Sequence, residues 1–267
     1  MNPKVSVLMG IYNCADTLEN AVNSIINQTY KNWELILCDD GSQDNTYEVA
    51  KKLSEKEPRI ILLKNEENLG LNKTLNNCLK AATGEYIARM DGDDDCLPYR
   101  FEKQVDFLNS HSDFDIVSSP MIMFDEYGEW GRTTADEMPT TQQVVTGSPI
   151  CHAPVMLRKK SMDAVGGYTE DKRMLRVEDV NLWIKLYANG SRCYNIQEPL
   201  YRMRNDINAL NRRKYIYRIN STYVRLKGCK MLKLPLKCYL ISFVPMINGL
   251  APARLRHFIR KYQNSRN

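Results

Sequence analysis

Four carboxylates crowd into five positions at Asp91-Gly92-Asp93-Asp94-Asp95, directly after the apolar run Glu85-Tyr86-Ile87-Ala88-Arg89-Met90. Such a concentration of negative charge at a strand end repels itself unless a cation neutralises it. Hard divalent ions, Mg²⁺ or Mn²⁺, take oxygen ligands and are commonly held by one or two carboxylates together with substrate phosphates. A solvated acidic turn is the competing reading, since Asp and Gly are ordinary turn residues. The core-type strand in front of the acids favours the metal, because α/β proteins place ligands just beyond strand ends. Two other acidic pairs stand in comparable positions. Asp39-Asp40 ends the run Trp33-Glu34-Leu35-Ile36-Leu37-Cys38, and Glu178-Asp179 opens a segment of helical apolar spacing through Leu186.

The elements that must position these acids follow from periodicity. Lys4 to Ile11 is nearly continuously apolar, as a buried parallel strand is, and leads into Tyr12-Asn13. Leu18, Ala21, Val22, Ile25 and Ile26 then repeat at helical spacing, with Asp16 or Thr17 as the expected N-cap. Trp33 to Cys38, Arg59 to Leu63 and Glu85 to Met90 read as further strands, with helices through about Leu53 and from Leu71 to Ala82. Strand and helix alternating at this pace predict parallel βαβ units. Their shared C-terminal edge gathers Tyr12, Asp39, Asp40, Asp91 and Asp93. A helix after Pro98, a strand over Phe114 to Val117 and a hairpin from Met121 to Thr133 follow, while Thr134 to Thr146 is polar and carries no clear period.

Neither a GxGxxG after the first strand nor a GxxxxGK[ST] is present, so phosphate has to be held by a metal rather than by a glycine-rich loop. With an acidic pair suited to a base or ribose, the ligand this suggests is a nucleoside diphosphate. Arg202 and Arg204 are candidates to close over the diphosphate as bidentate donors, against the plainer reading of surface arginines.

Six motifs in order, Val5-Ser6-Val7 with Tyr12-Asn13, Asp39-Asp40-Gly41-Ser42, Asn68-Leu69-Gly70, Gly84-Glu85-Tyr86-Ile87, Asp91-Gly92-Asp93-Asp94, and Gly166-Gly167-Tyr168 before Glu178-Asp179, resemble the family 2 glycosyltransferases over about residues 3–205. Within that family the chain looks most like enzymes of bacterial exopolysaccharide, capsule and O-antigen synthesis. The resemblance implies a GT-A fold, a Rossmann-like mostly parallel α/β sheet, and inverting transfer from a nucleotide sugar, most often a UDP-sugar, to a glycan or lipid-linked acceptor. It further implies that Tyr12 flanks the base and that Asp40 hydrogen-bonds the uracil with Asp39 close by. Asp93 would ligate the metal, Asp91 would hold the ribose or the metal shell, and Asp179, with Glu178 beside it, would be the general base. His152 occupies a position where relatives carry a His near the acceptor side. Asp179 also has a simpler reading, as a charge complementing a helix dipole.

Length and composition frame this. The 267 residues suit one large α/β domain (1–205) with a basic helical appendage (206–267). The net charge of +5 hides an asymmetry: from Asn211 onward there are 14 Lys and Arg and no Asp or Glu, against 23 bases and 32 acids in residues 1–210. A basic tail with Leu234 to Ile247 too short and proline-broken to span a bilayer fits helices lying on an anionic membrane surface, or helices covering the body's own core. Nucleic acid ranks last, because no RRM, KH or helix-turn-helix pattern is present. Eight cysteines without a CxxC pair, and no charged segment followed by an apolar one at the start, lead to the expectation of a reduced, cytoplasmic protein peripheral to the inner membrane face. The alternative readings are a sugar-nucleotide nucleotidyltransferase, which expects a basic Gly-rich first loop that Met9 to Asn13 lacks, and a regulatory or binding protein on the same fold.

Overall fold

The computed structural model describes residues 2–205 and 214–250; the remainder of the expected basic C-terminal region, 206–213 and 251–267, lies outside the described residues. Its elements run β1 (Val5–Ile11), α1 (Ala15–Ile26), β2 (Trp33–Asp39), α2 (Thr46–Lys56), β3 (Ile60–Lys64), α3 (Leu71–Ala81), β4 (Tyr86–Arg89), β5 (Asp95–Cys96), α4 (Arg100–Ser110), β6 (Ile116–Ser118), β7 (Met121–Asp125), β8 (Gly128–Arg132), α5 (Thr141–Thr146), β9 (Met156–Arg158), α6 (Lys159–Ala164), α7 (Glu178–Ala188), β10 (Cys193–Asn195), β11 (Tyr201–Arg204), α8 (Ile216–Met231), α9 (Leu236–Ile241) and α10 (Val244–Leu250).

The main sheet has the order β10-β6-β9-β4-β1-β2-β3. All pairs are parallel except those of β9, which runs antiparallel to both β4 and β6. The alternation of strand side chains divides the core in two. Val5, Val7, Met9 and Ile11 pack with Leu18, Val22 and Ile25 of α1 and Phe101 and Val105 of α4. Leu8, Ile36 and Ile87 face Leu75 of α3, Trp183 of α7 and Val224 of α8 on the other side. The register of β1 with β2 and β4 puts Ile11 beside Asp39 and Leu8 beside Arg89, so the end of β1 and the two acidic ends of β2 and β4 share one edge.

The helix start near Asp16 differs from expectation. The cap is Cys14, without a side-chain cap bond of its own. Thr46 Oγ1 and Asp44 Oδ2 accept the Cys14 and Ala15 amides instead, from the β2–α2 loop. Thr17 uses its hydroxyl to reach Gly92 O at 2.9 Å, tying α1 to the acidic loop. Within the polar stretch that showed no period, Thr140 and Gln143 form a reciprocal capping box that starts α5.

A second sheet, β5-β11-β7-β8, lies over the acidic edge. The C-terminal helices are integral to the body. Val224, Cys229 and Cys238 are buried in the second core cluster, and Gly228 lies so close to α7 that a Cβ there would meet Ile184 Cδ1 at 2.6 Å. The Arg225 guanidinium donates to Val145 O and Gly147 O, joining α8 to α5.

Candidate active site

The edge beyond β1, β2 and β4 is assembled by loops that hold one another. Asn13, at φ 49°, accepts the Gln43 amide on Oδ1 (2.9 Å), and its own amide donates to Ser42 Oγ (3.1 Å). Gly41, at φ 70°, has no room for a side chain, since a Cβ would meet Glu67 C at 2.7 Å. These contacts leave the Tyr12 side chain 45 % exposed at the rim, where an aromatic face can flank a planar base.

The two adjacent acids differ in how many donors the protein gives them. Asp40 is buried and largely engaged by the protein. Its Oδ1 accepts from Asn65 Nδ2 and the Leu69 amide, both at 2.8 Å, and its Oδ2 from the Gly70 amide at 3.0 Å. Three of its roughly four acceptor positions are thus taken by the protein, and one on Oδ2 remains. Asp39 takes only the Ser42 amide on Oδ2, and its buried Oδ1 has no protein donor. Buried acceptors in native proteins are nearly always satisfied by protein, water or ligand, and Asp39 Oδ1 is open to such a donor.

The acidic loop is organised by two residues outside the motifs, Arg89 and Tyr201. Arg89, buried at the end of β4, donates to Asp91 Oδ1 at 2.6 Å. Burial works against its charge, but Asp91, Tyr168, Tyr201 and Glu178 around it outweigh that and hold the guanidinium charged. Tyr201 of β11 accepts the Asp91 amide on its hydroxyl. Asp94 is buried and takes the Arg204 amide at 2.7 Å, and Asp95 pairs with Arg202. Both are therefore structural. Asp93 reaches solvent, yet the surrounding protein and the Asp91 charge push its carboxyl up; burial, Asp91 and Asp93 push Asp94 well up. Among the described residues no three His, Cys, Asp or Glu side chains are grouped to hold a metal alone. Asp91 and Asp93 fit instead the kind of site in which one or two carboxylates share the ion with phosphates, and the Asp91 repulsion that adds to burial in raising Asp93 is what a divalent cation relieves.

Asp179 opens α7 beside Glu178. Burial raises the carboxyls of both, with the Asp179 charge adding to the shift at Glu178. Asp179 Oδ1 accepts the Val180 amide at 2.8 Å, and the nearby Arg89 and Arg225 charges favour its ionised form. It lines a cavity of about 530 Å³ together with Arg176, Arg204, Lys214, Arg218 and Arg225. A second cavity, of about 370 Å³, holds Asp93 and Asp95, and Arg204 belongs to both. Arg204 thus stands between the acidic loop and Asp179, its Nε buried without a partner.

Arg202 and His152 are each held by neighbouring side chains. Arg202 is held by Asp95 and Glu129, and both Arg202 and Arg204 lie over the Phe124 ring. His152 does not line the cavity beside Asp179. Its Nε2 is bonded to Tyr168 OH at 2.7 Å, its ring meets Trp183 edge-on, and burial with the Arg89 charge keeps it neutral.

The parallel βαβ half thus brings Asp39, Asp91 and Asp93 to one edge, with Arg204 lining both the Asp93 cavity and the cavity of Asp179. Comparison with known proteins gives the class. The model of Glycosyl transferase family 2 matches residues 6–166. The chain is 43 % identical over 260 residues to the putative glycosyltransferase EpsE of Bacillus subtilis (strain 168), covering 97 % of this chain and 94 % of that protein. It is 29 % identical over 216 residues to the Escherichia coli UDP-Glc:alpha-D-GlcNAc-diphosphoundecaprenol beta-1,3-glucosyltransferase WfaP, covering 80 % and 83 %. S. aureus TarS, solved in complex with UDP, shares the fold with a TM-score of 0.69 at 20 % identity, over 96 % of this chain and 74 % of that one. The chain belongs to glycosyl transferase family 2, and the GT-A fold expected from the six motifs is the fold found.

Proposed function

We propose that this glycosyltransferase moves a sugar from a UDP-sugar to a lipid-linked glycan with inversion, in the synthesis of a bacterial surface polysaccharide. The observation that carries the reading is the separation of roles along one edge. Asp39 Oδ1 lacks a donor, burial and the Asp91 charge raise the Asp93 carboxyl, and Asp179 lines a different cavity. The UDP complex of TarS and the name of WfaP agree with the donor and acceptor classes.

Asp39 receives the imide N–H of the uracil, which supplies the missing donor, and the Tyr12 ring covers the base. Asp93, with Asp91, holds a Mn²⁺ or Mg²⁺ ion, whose contribution when bound is Lewis-acid stabilisation of the charge on the departing diphosphate. Arg89 fixes the Asp91 carboxylate. Arg204 supports the diphosphate from the side of the second sheet. Asp179 takes the proton of the acceptor hydroxyl as the new bond forms. A carboxylate deprotonating a nucleophile on the face opposite the leaving group gives a single displacement and hence inversion.

No helix among the described residues is long and apolar enough to cross a membrane. The exposed Leu236, Leu240, Phe243 and Ile247 on α9, α10 and the link between them, next to basic residues, support docking on an anionic membrane surface from the cytoplasmic side. A panel of UDP-sugars tested for turnover with and without Mn²⁺, with the product anomer read by NMR, checks the proposal. Metal-dependent turnover with an inverted product is expected. A retained configuration, or no turnover of any UDP-sugar, would refute it.

A further inference from the structure

The acids of the loop after β4 are not all held in the same way. Arg89 bonds the Asp91 carboxylate at 2.6 Å, and the Tyr201 hydroxyl accepts the Asp91 amide. Asp94 is buried and accepts the Arg204 amide, while Asp95 pairs with Arg202. Asp93 stands exposed between them, and its direction is set through the backbone. The carbonyl of Gly92 and the amide of Asp93 belong to one planar peptide group, so a grip on Gly92 O fixes the plane from which Asp93 leaves the loop.

That grip comes from α1. Thr17 Oγ1 donates to Gly92 O at 2.9 Å. A hydroxyl has one proton to give, and the other acceptor in reach, Cys14 O one turn back, is farther away at 3.2 Å. Gly92 is buried, and the loop is pressed so closely onto the start of α1 that a Cβ on Gly92 would meet Cys14 Sγ at 2.9 Å and Ile11 Cγ2 at 3.1 Å. Cys14 is anchored in turn by the β2–α2 loop, where Thr46 Oγ1 accepts its amide at 2.7 Å. A buried carbonyl deprived of its donor is costly, so without the hydroxyl this peptide would turn to find another partner.

We propose that Thr17 is a positioning residue for the metal: its hydroxyl holds the Gly92–Asp93 peptide so that the Asp93 carboxylate, with Asp91, can share a divalent ion with the donor diphosphate. The assignment rests on the reading of Asp93 as a metal acid. A plainer part for Thr17, closing the first turn of α1 through Cys14 O, would stabilise the helix and leave metal binding alone. The groups behind a metal's ligands commonly contribute about ten- to a hundredfold in affinity. Thr17 acts through a peptide rather than on the carboxylate itself, which places it at the lower end.

UDP affinity measured by calorimetry with and without saturating Mn²⁺, on the wild type, Thr17→Val and Thr17→Ser, tests this. The ratio of the two affinities reads the metal, and the metal-free affinity reports that the base site and the fold are intact. Valine keeps the branched shape and removes the hydroxyl, while serine keeps the hydroxyl and loses only a methyl group. Thr17→Val should reduce the ratio about tenfold and leave metal-free UDP binding within about twofold of the wild type. Thr17→Ser should retain the wild-type ratio. An unchanged ratio in Thr17→Val overturns the proposal, as does an equal loss of affinity with and without Mn²⁺, which marks a role in folding alone. A ratio that falls as far in Thr17→Ser as in Thr17→Val shows that the hydroxyl is not the cause, and overturns it too. A wild-type chain whose UDP affinity ignores Mn²⁺ is a different result, and refutes the metal reading of Asp93 on which the proposal stands.

Discussion

Replacing Asp39 and Asp40 one at a time should separate ligand binding from folding, although the two carboxylates are adjacent. Asp40→Ala removes the acceptor for three donors, the Leu69 and Gly70 amides and Asn65 Nδ2, in a buried position. Hydrogen bonds to a charged group are worth about 1.5–3 kcal/mol each, and a buried donor left unpaired costs about 1–3 kcal/mol. The Gly70 end of the loop can still reach water, so a net loss of about 3–5 kcal/mol is expected. In a chain of this size that lowers Tm by roughly 10 °C. Asp39→Asn keeps the shape and the bond to the Ser42 amide but removes the charge behind Oδ1. Stability should change by less than about 1 kcal/mol. The affinity for UDP should fall about tenfold or more, the worth of one charged acceptor. Thermal unfolding and UDP titration on the two variants decide it. A stable Asp40→Ala that no longer binds UDP, beside an Asp39→Asn that binds normally, would refute the reasoning.

Three further outcomes follow from the same geometry. Asp179→Asn should lower transfer by about 10² to 10⁴, the usual worth of a general base, while UDP still binds; in the wild type the acid limb of the rate profile should lie above the ordinary Asp value of 3.8, because burial raises this carboxyl. The Asp93 and Asp94 carboxyls are raised in the folded chain, so the native state binds more protons than the unfolded one and stability declines as pH climbs from 3.8 through their folded values; unfolding midpoints measured against pH should show that decline, and Mn²⁺ with UDP should reduce it. Gly228→Ala should cost about 1–3 kcal/mol by driving a methyl into Ile184, and Ile184→Ala in the same chain should recover part of that loss, as denaturant titration of the single and double variants would show.

The half of the fold that carries the donor was legible because each of its strands is a long apolar run ending in polar residues, and each helix between them repeats at 3.6. The other half was not. β9 is three residues long and β10 likewise, too short for any period to register, and β9 enters the sheet antiparallel between β4 and β6. Tyr201 to Arg204 does alternate as a strand should, yet its two arginines drew attention as phosphate donors rather than as the outer face of β11. At the site, the positions of the acids were readable but their division of labour was not. Whether Asp39 or Asp40 is free depends on where the loop from Asn65 to Gly70 folds back, which no local pattern announces. Arg89 left a signal, a charge inside an apolar run, which calls for a buried acid partner. The cavity beside Asp179 left none, since Arg176, Arg204, Lys214 and Arg225 meet only once α8 has packed on α7.

The most direct check on the central claim is UDP binding measured with and without Mn²⁺ for the wild type, Asp93→Asn and Asp179→Asn. The geometry predicts tight binding that depends on the metal in the wild type and in Asp179→Asn, with the metal dependence lost in Asp93→Asn. Equal affinity without metal, or an undiminished metal effect in Asp93→Asn, would contradict it.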